Sequence, residues 1–410
     1  AQAHREGVTE TIEGVKVVAP HTIELTYEEA YAPALERIGT EVGIIPKHIW
    51  EKSAIGEWKN ATDIMNKPIG TGPYKFSEFV PGQYVELTAN ENFFQGVPKT
   101  NKYIFRITNQ DTAVAAMANG EIDIADVSNF KPNELEELKK TGMNLIVFPG
   151  KSYQYMGFNM RDEKLQPKEI RQAITYAIDR QTILEQLLQG NGTIINAPTL
   201  PTSWAYPKED LNEYAYDTQK AIELLKSIGY EDRNGDGIVE SESGEDLTLI
   251  LTYPVGNKIR EQYAMVIKDQ LAKVGIQVEL EVLEFNALLD KVMSNHEFEL
   301  FLLGSSLSLD PDPKPYWSSS AASDEKGVAA WNIPGWRNEV ADKLMEEGLF
   351  TMDRAKRTTI YQEFAKIYND DPPTVLLYAP NITKAHSDGL KNYAPTTFVD
   401  YFNVHNWEIE

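Results

Sequence analysis

The residues of this chain that are best spaced for ion binding lie between positions 232 and 240. Oxygen-bearing side chains alternate there and precede Gly237 in the D-x-N-x-D-G order that begins an EF-hand calcium loop. A hard cation takes oxygen ligands from alternating positions, and the glycine permits the sharp turn around the ion. The spacing predicts a candidate calcium turn whose ligands would be Asp232, Asn234, Asp236, Ile238 and Glu240.

The same segment departs from a complete calcium loop at its far end. The twelfth position, which carries a bidentate glutamate in an EF-hand, is Ser243 here, although Glu240 and Glu242 lie nearby. No helix of proper length is predicted to follow. Two interpretations stay open: a structural calcium turn, or an acidic loop between a helix and a strand that binds no metal.

Catalytic motifs are absent from the sequence. Its six histidines are scattered without an H-E-x-x-H pair, and neither a G-x-S-x-G elbow nor a Walker loop occurs. The chain has no cysteine, which removes disulfides, thiolate ligands and cysteine nucleophiles together. Carboxylates are numerous enough for a glycosidase pair, so a carbohydrate-acting hydrolase is the alternative from a different class. We predict a protein that is not an enzyme and needs no cofactor beyond the calcium considered above.

Length and charge limit the remaining function classes. A chain of 410 residues is too long for one ordinary core, so two or three domains are expected. The formal net charge of −23 argues against nucleic acid or an anionic membrane surface as a partner, because both require a basic surface. The sequence contains no apolar run of membrane-spanning length and no signal-peptide pattern, and we expect it to begin within a domain.

Strand and helix patterns indicate the framework that would position a site. Alternating apolar and polar residues predict strands at 84–88 and 102–107. Apolar residues at helical spacing predict a helix over 168–189, with a break near Asp179, and another over 260–274, followed by a strand at 276–282. Because helices alternate with strands in the middle of the chain, the predicted fold class is α/β with mixed sheets and flanking helices.

The segment 69–76, Ile-Gly-Thr-Gly-Pro-Tyr-Lys-Phe, predicts a tight corner that leads into a strand. It resembles the "GTGPYKF" element of ABC-transporter solute-binding proteins. Other segments resemble the same family in the family's order, namely 44–49, 120–123, 158–180 and 301–313. Each motif is short, but five in order, spread over essentially the whole chain, make a specific resemblance to family 5 of the bacterial extracellular solute-binding proteins.

This resemblance implies a periplasmic-binding-protein-like fold of class II type, in which two lobes joined by a hinge hold a ligand between them. Residues 1–66 would be the remainder of a domain II-like segment, and 67–160 with 386–410 would form a domain I-like lobe. Residues 161–385 would form a domain III-like lobe. The family's pattern extends further at its N-terminal end, so we expect part of the first lobe's sheet and one wall of the pocket to lie outside this sequence.

Family members that carry peptides hold the ligand backbone as an added strand and accept varied side chains in hydrated pockets. The resemblance assigns ligand contacts to strands and loops that match those of the family. The candidate ligand-binding residues are Asp126, Val127, Tyr153, Tyr155, Phe285, Gly304, Ser306, Ser308, Asp310 and Trp317.

In this family a carboxylate usually pairs with the free amine of the peptide, and the matching position here is Ser308. A hydroxyl group cannot pair with an ammonium group as a carboxylate does. The amine anchor is therefore lost, moved to Asp310, or unnecessary because the ligand is longer or different. The segment 310–313, Asp-Pro-Asp-Pro, also has the composition of a rigid polar turn.

The resemblance predicts the substrate-binding component of an ABC importer, which binds an oligopeptide and delivers it to the permease subunits. It implies a monomer, either on the extracellular face of the cell membrane as a lipoprotein whose anchor lies outside this chain, or in the periplasm. Alternatives with the same fold bind an oligosaccharide, which suits aromatic residues and a missing amine anchor, or a nickel chelate.

Overall fold

The structure is a computed structural model that describes residues 12–54, 56–108 and 110–410. Its strands, in chain order, are β1 (Val15–Ala19), β2 (Thr22–Leu25), β3 (Tyr74–Val80), β4 (Tyr84–Ala89), β5 (Lys102–Arg106), β6 (Ile124–Asp126), β7 (Met143–Pro149), β8 (Ser152–Phe158), β9 (Gly192–Thr193), β10 (Thr248–Pro254), β11 (Gln277–Leu283), β12 (Leu300–Ser306), β13 (Thr374–Ser387), β14 (Leu390–Lys391) and β15 (Glu408–Ile409).

The α-helices are α1 (Ala34–Glu41), α2 (Lys47–Trp50), α3 (Thr62–Met65), α4 (Gln110–Ala118), α5 (Pro132–Lys140), α6 (Lys168–Ala177), α7 (Arg180–Leu187), α8 (Thr218–Ser227), α9 (Lys258–Ala272), α10 (Phe285–Leu289), α11 (Lys314–Trp317), α12 (Glu339–Phe350) and α13 (Arg354–Asp370). Short 3₁₀ turns lie at Trp58–Asn60, Glu163–Leu165, Ser319–Ala321 and Val404–Asn406, and a π turn at Asp290–Ser294 extends α10. Within the described residues, no helix combines the length and apolar composition needed to cross a membrane.

The chain forms two compact units. Unit 1 contains the described chain up to Ala30, Ala34–Phe148 and Ile382–Glu410, and unit 2 contains Tyr31–Pro33 and Pro149–Asn381. The boundary near residue 148 falls before the boundary expected at 160. The reason is that β8 is hydrogen-bonded between β12 and β13 and therefore belongs to the sheet of unit 2.

Unit 1 contains small antiparallel sheets. β3, β4 and β5 form a meander. Gly82, in the turn between β3 and β4, has a φ of 74°. The predicted corner at 69–73 does precede β3, but neither of its glycines adopts a positive φ. The second half of β13 pairs with β6, and α4 and α5 cover a small core that includes Met117, Val127 and Leu138.

Unit 2 is built on a mixed sheet in the order β11-β10-β12-β8-β13. β10 runs parallel to both β11 and β12, and α9 connects β10 to β11, as a parallel crossover requires. β8 is antiparallel to β12 on one side and to the first half of β13 on the other. The predicted mixed sheet with flanking helices is therefore present.

Helix termini in unit 2 follow local sequence signals. The predicted break near Asp179 separates α6 from α7, and the Asp179 carboxylate caps α7 by accepting the Thr182 N–H at 2.9 Å. The Asn257 side chain caps α9 by accepting the Arg260 N–H at 3.0 Å. α9 ends before Gly275, whose φ of +81° and closeness to Val239 leave no room for a side chain.

Candidate functional site

The open edge of β12 is the feature of unit 2 that is best suited to bind an extended ligand. On the side of β10, the strand pairs only at Leu300 and Phe301. On the side of β8, it pairs along its whole length from Leu300 to Ser306. From Leu302 to Ser306, β12 therefore has one paired edge and one edge that has no neighbouring strand among the described residues.

The register shows which main-chain groups face that open edge. Leu307 N–H donates to Lys151 O at 2.8 Å, so the opposed pair 307 and 151 is a hydrogen-bonded pair. Because bonded and non-bonded pairs alternate in an antiparallel ladder, Ser305 faces β8, whereas Gly304 and Ser306 direct their N–H and C=O groups outward. Both residues are exposed, and no other main-chain group of the described residues bonds to these outward groups.

Gly304 leaves room for the Gln154 side chain to lie against the main chain of β12. A Cβ at this position would lie 2.5 Å from the Nε2 atom of Gln154, the residue opposite it on β8. The Gln154 amide thus lies against bare backbone. The structure therefore places two of the predicted contacts, Gly304 and Ser306, side by side on an accessible strand edge, with Ser308 half-buried two residues beyond.

The predicted tyrosine contacts are located elsewhere. Tyr153 and Tyr155 are only 1% and 7% exposed, and burial raises the pKa of both phenols well above the usual range. The Tyr155 ring packs edge-on against Phe301, which lies over the side-chain-free Gly157. These tyrosines belong to the interior of unit 2, because β8 is a central strand whose alternate residues face packed layers.

The other aromatic candidates divide between the interior and the surface. Trp317 is 5% exposed and packs against Tyr368 with ring centroids 4.7 Å apart, so it is part of the core of unit 2. Phe285, at the first turn of α10, is 48% exposed and remains available to a ligand. Trp331 is also exposed and meets Tyr316 edge-on.

Asp310 already has a partner of opposite charge. Its two oxygens accept from the Nη1 and Nη2 atoms of Arg357 at 2.6 and 2.7 Å, and both side chains are nearly buried. The guanidinium also donates to Tyr361 and to the main chain of Gly348. A fork-to-fork pair of this kind uses both carboxylate oxygens, which argues against Asp310 as a replacement amine anchor.

The two candidates in unit 1 differ in accessibility. Asp126 lines a cavity of about 640 Å³ within unit 1, between β5 and β6, and its carboxylate accepts from Ser128 and lies 3.3 Å from Lys384 Nζ. Val127 is fully buried, its N–H donates to Thr383, and its C=O accepts from Phe130. Val127 therefore offers neither a side chain nor a free main-chain group to a ligand.

The acidic loop directs its side chains to its own backbone. Asp232 accepts from the N–H groups of Gly235 and Gly237 at 2.7 and 3.0 Å, and Asn234 accepts from the Asp236 N–H. Glu240 is buried and accepts from the Arg233 N–H. Within the described parts of the chain, no group of three histidine, cysteine or acidic side chains is arranged to hold a metal ion. The calcium turn stays a prediction, and this geometry is that of a self-capped acidic loop.

Sequence reasoning missed Arg260 and Gln154. Arg260 lies in the first turn of α9, where it looks like an ordinary surface cation, and Gln154 lies in an alternating strand between two tyrosines. Only the register that opposes Gln154 to Gly304 brings Gln154 to the strand edge, and Gln154 Oε1 accepts from Arg260 Nη2 at 2.7 Å. The sequence signal that could have indicated the site is the run of small residues at 304–306.

One titrating group in unit 2 gives a prediction for pH. His296 is 8% exposed, and burial, followed by the nearby Arg161 guanidinium, lowers the pKa of His296, with Asp324 acting in the opposite direction. A lowered folded-state pKa of His296 means that its contribution to stability is complete above the ordinary pKa of about 6.5 and is lost as the pH falls through the folded-state value.

The replacement His296→Asn tests this pH dependence. The free energy of unfolding of the wild type, measured with urea, should fall more between pH 7.5 and 5 than that of His296→Asn. Asparagine tolerates the positive φ of 57° at this position. Equal pH slopes for the two proteins would contradict the prediction.

Comparisons with known proteins identify the family of this chain. The sequence pattern of the bacterial extracellular solute-binding proteins, family 5 Middle, matches residues 2–327. The oligopeptide-binding protein AppA of Bacillus subtilis (strain 168) is 34% identical over 369 residues, which cover 89% of this chain. The chain spans 66% of the length of that curated relative.

Solved structures give the same result. The oligopeptide-binding protein AppA from Bacillus subtilis, in complex with a nonapeptide, matches with a TM-score of 0.80 and 30% identity, covering 97% of this chain and 78% of that one. NikZ from Campylobacter jejuni, in complex with Ni(L-His), matches with a TM-score of 0.80 and 26% identity, covering 96% of this chain and 77% of that one. These likenesses confirm the predicted fold class.

Proposed function

This chain belongs to family 5 of the bacterial extracellular solute-binding proteins, and we propose that it binds an oligopeptide as an added strand on the open edge of β12. The observation that carries the proposal is the pair of exposed residues Gly304 and Ser306, whose outward edge has no neighbouring strand in the described part of the chain. The similarity to AppA, a protein named for oligopeptide binding, supports a peptide as the cargo.

Main-chain pairing explains how such a site would accept many sequences. Two outward residues present two donors and two acceptors, and each net hydrogen bond contributes about 0.5–1.5 kcal/mol. These hydrogen bonds involve only the backbone of the peptide, so their strength does not depend on the ligand's side chains. Bridging water molecules fill the space that smaller ligand side chains leave, so side chains of different sizes are accommodated. Affinity and tolerance therefore come from the same strand edge.

Delivery completes the proposed role. The protein would act as the substrate-binding component of an ABC importer, on the outer face of the cell membrane through a lipid anchor or in the periplasm, and as a monomer. A bound peptide would favour the transport-competent conformation only by its differential affinity for that conformation. The chemistry required is recognition and release, and no bond in the ligand changes.

A nickel chelate is the second candidate cargo, because the NikZ complex with Ni(L-His) has a similar fold. An oligosaccharide is the third, since the exposed rings of Phe285 and Trp331 offer stacking surfaces. Mass spectrometry of ligand that co-purifies with the native protein separates these cases. A peptide mixture supports the proposal, whereas a chelated metal or a glycan identifies an alternative. Hydrolysis of a glycoside would instead indicate the hydrolase.

A proline substitution tests the strand edge directly. Ser306→Pro removes one outward N–H without removing a bond to β8, and proline is tolerated at strand edges. We expect peptide affinity to fall roughly tenfold, measured by isothermal titration calorimetry, with the melting temperature nearly unchanged. Ser306→Ala is the matched control, because it removes the hydroxyl group but keeps the N–H, and it should bind as the wild type does. Equal affinities for all three proteins would contradict binding at this edge.

A further inference from the structure

His296 is the only histidine in unit 2. Histidine is the one side chain whose ordinary pKa lies between about 5 and 8, so His296 is the group of unit 2 whose charge is expected to change in mild acid. It follows the π turn Asp290–Ser294, in which the Asn295 N–H donates to Asp290 O at 2.9 Å. Turns of this rare kind are frequent at functional sites. A titratable group therefore lies beside an uncommon backbone turn.

The His296 ring is enclosed without a hydrogen-bond partner. The side chain is 8% exposed, and neither Nδ1 nor Nε2 bonds to a described residue. The main chains of Val292 and Glu325 lie beside the ring but form no hydrogen bond with it. Because a charge removed from water is costly unless it is paired, this environment favours the neutral imidazole over the imidazolium.

Residues 323–330, which we call the cover segment, lie against the π turn. Gly327 N–H donates to Ser294 O and Ala330 N–H donates to Met293 O, both at 2.9 Å. Residues 324–329 are exposed, and Ala330 is the one buried residue of the segment. A segment that is held by a few main-chain bonds and little buried surface opens at a low cost in free energy.

Arg161 places a positive charge at the same position. Its Nη1 donates to Asn159 Oδ1 at 3.2 Å, and Asn159 Nδ2 donates to His296 O at 3.1 Å, so both residues bind one amide. The Arg161 Nη2 donates to Ser323 O at 2.6 Å, at the start of the cover segment. Burial, and then Arg161, lowers the pKa of His296. A protonated ring would therefore face a second cation.

The carboxylates around the ring offer little compensation. Asp324 accepts from Arg161 Nε at 2.9 Å and from Arg337 Nη2 at 2.8 Å, so it is shared between two guanidinium groups, and its side chain is 60% exposed. The other charged groups of the chain after β8, of the π turn and its following loop, and of the cover segment are exposed or form ion pairs, namely Asp162, Asp290, Lys291, Glu299, Glu325 and the Glu297–Lys326 pair.

We propose that the cover segment is an acid-sensitive lid, which lies on the π turn while His296 is neutral and detaches from it when His296 is protonated. Detachment lets water reach both ring nitrogens and separates the imidazolium from Arg161. The docked form is fully stabilised above a pH of about 6.5 and loses that stabilisation as the pH falls through the docked-state pKa of His296. This inference goes beyond the proposed function, because it does not depend on which ligand the protein binds.

Hydrogen exchange of the wild-type chain measures the opening of the lid. The reporters are the N–H groups of Gly327 and Ala330, followed by mass spectrometry at pH 7.5 and pH 5 and corrected for the intrinsic exchange rate. With an ordinary histidine pKa of about 6.5 in the open form, the opening constant should rise by up to roughly 30-fold between these pH values. At both pH values it should exceed the constant for global unfolding, which urea denaturation provides.

Variants assign the pH dependence to His296. His296→Asn removes the titrating ring, and asparagine tolerates the positive φ of 57°, so the reporters should show the same opening constant at both pH values. His386→Asn is the matched control, because it makes the same change at a histidine of unit 1, and it should keep the wild-type ratio. Thermal unfolding reports whether each variant folds. His296→Gly, which is also compatible with this φ, replaces His296→Asn if that variant does not fold.

Three outcomes overturn the inference. The first is an opening constant of the wild type that is equal at pH 7.5 and pH 5. The second is an opening constant that equals the constant for global unfolding, which would mean that the cover segment does not open separately. The third is a pH dependence that persists without the His296 ring. A local opening that increases in acid and loses its pH dependence in the His296 variants supports the lid.

Discussion

Replacing Asp371 by alanine is expected to destabilise unit 2 by about 3 kcal/mol, whereas the same change at the adjacent Asp370 should have little effect. Asp371 Oδ1 accepts from Arg171 Nη2 at 2.7 Å, and Asp371 Oδ2 accepts from the Trp336 indole N–H at 2.9 Å. Arg171 is 1% exposed and Trp336 fully buried. The substitution thus leaves an uncompensated buried charge and an unpaired indole donor at the same time.

Asp370 provides the matched control because it differs from Asp371 in burial rather than in charge. Its carboxylate is 69% exposed and pairs with the Lys168 ammonium at 2.9 Å, and exposed pairs of this kind contribute little. Urea unfolding followed by tryptophan fluorescence measures both variants, with Trp336 as a reporter within the affected region. Equal destabilisation by the two substitutions would show that the Arg171–Asp371 pair does not contribute the expected amount to the free energy of unfolding.

Replacing Asp310 by asparagine is expected to cost about 3 kcal/mol, because Arg357 would remain buried without a carboxylate. Arg357→Met, which removes the other partner, should cost a similar amount. The double variant should cost much less than the sum of the two, since neither buried charge then remains unpaired. Denaturant unfolding of the three proteins gives the coupling energy, and additive losses would contradict a coupled pair.

The same Asp310→Asn variant distinguishes a structural role from ligand recognition. If Asp310 only holds Arg357, the ratio of affinities for a peptide with a free amine and its N-acetylated form stays at the wild-type value. If Asp310 anchors the amine, the variant loses affinity for the free-amine peptide selectively. We expect the first result, because both carboxylate oxygens already accept from one guanidinium.

Local signals in the sequence predict several elements of the fold. The break at Asp179 is a helix-capping signal that involves residues within one turn, so the sequence alone places it correctly. The strand after the 69–73 corner and the helix that became α9 follow from periodicity over a few residues. The resemblance to a family rests on five separate motifs, and the comparisons confirm the family and the fold class.

The assignment of side chains to the site required long-range information. Tyr153 and Tyr155 alternate with polar residues and resemble the lining of a cleft, yet β8 lies between two other strands and is packed on both faces. Asp310 meets Arg357, which lies 47 residues later in the chain. Neither contact has a local signature, since it depends on where distant strands and helices are brought together.

The sequence by itself determined the helices and strands with clear capping or periodicity, the absence of catalytic motifs and the family to which the chain belongs, because capping, periodicity and short motifs are encoded within a few neighbouring residues. The tertiary structure alone decided that Gly304 and Ser306 face an open strand edge, and that Asp310 pairs with Arg357. The physical reason is that strand register and charge compensation are properties of pairs of residues. They exist only once folding has chosen each partner.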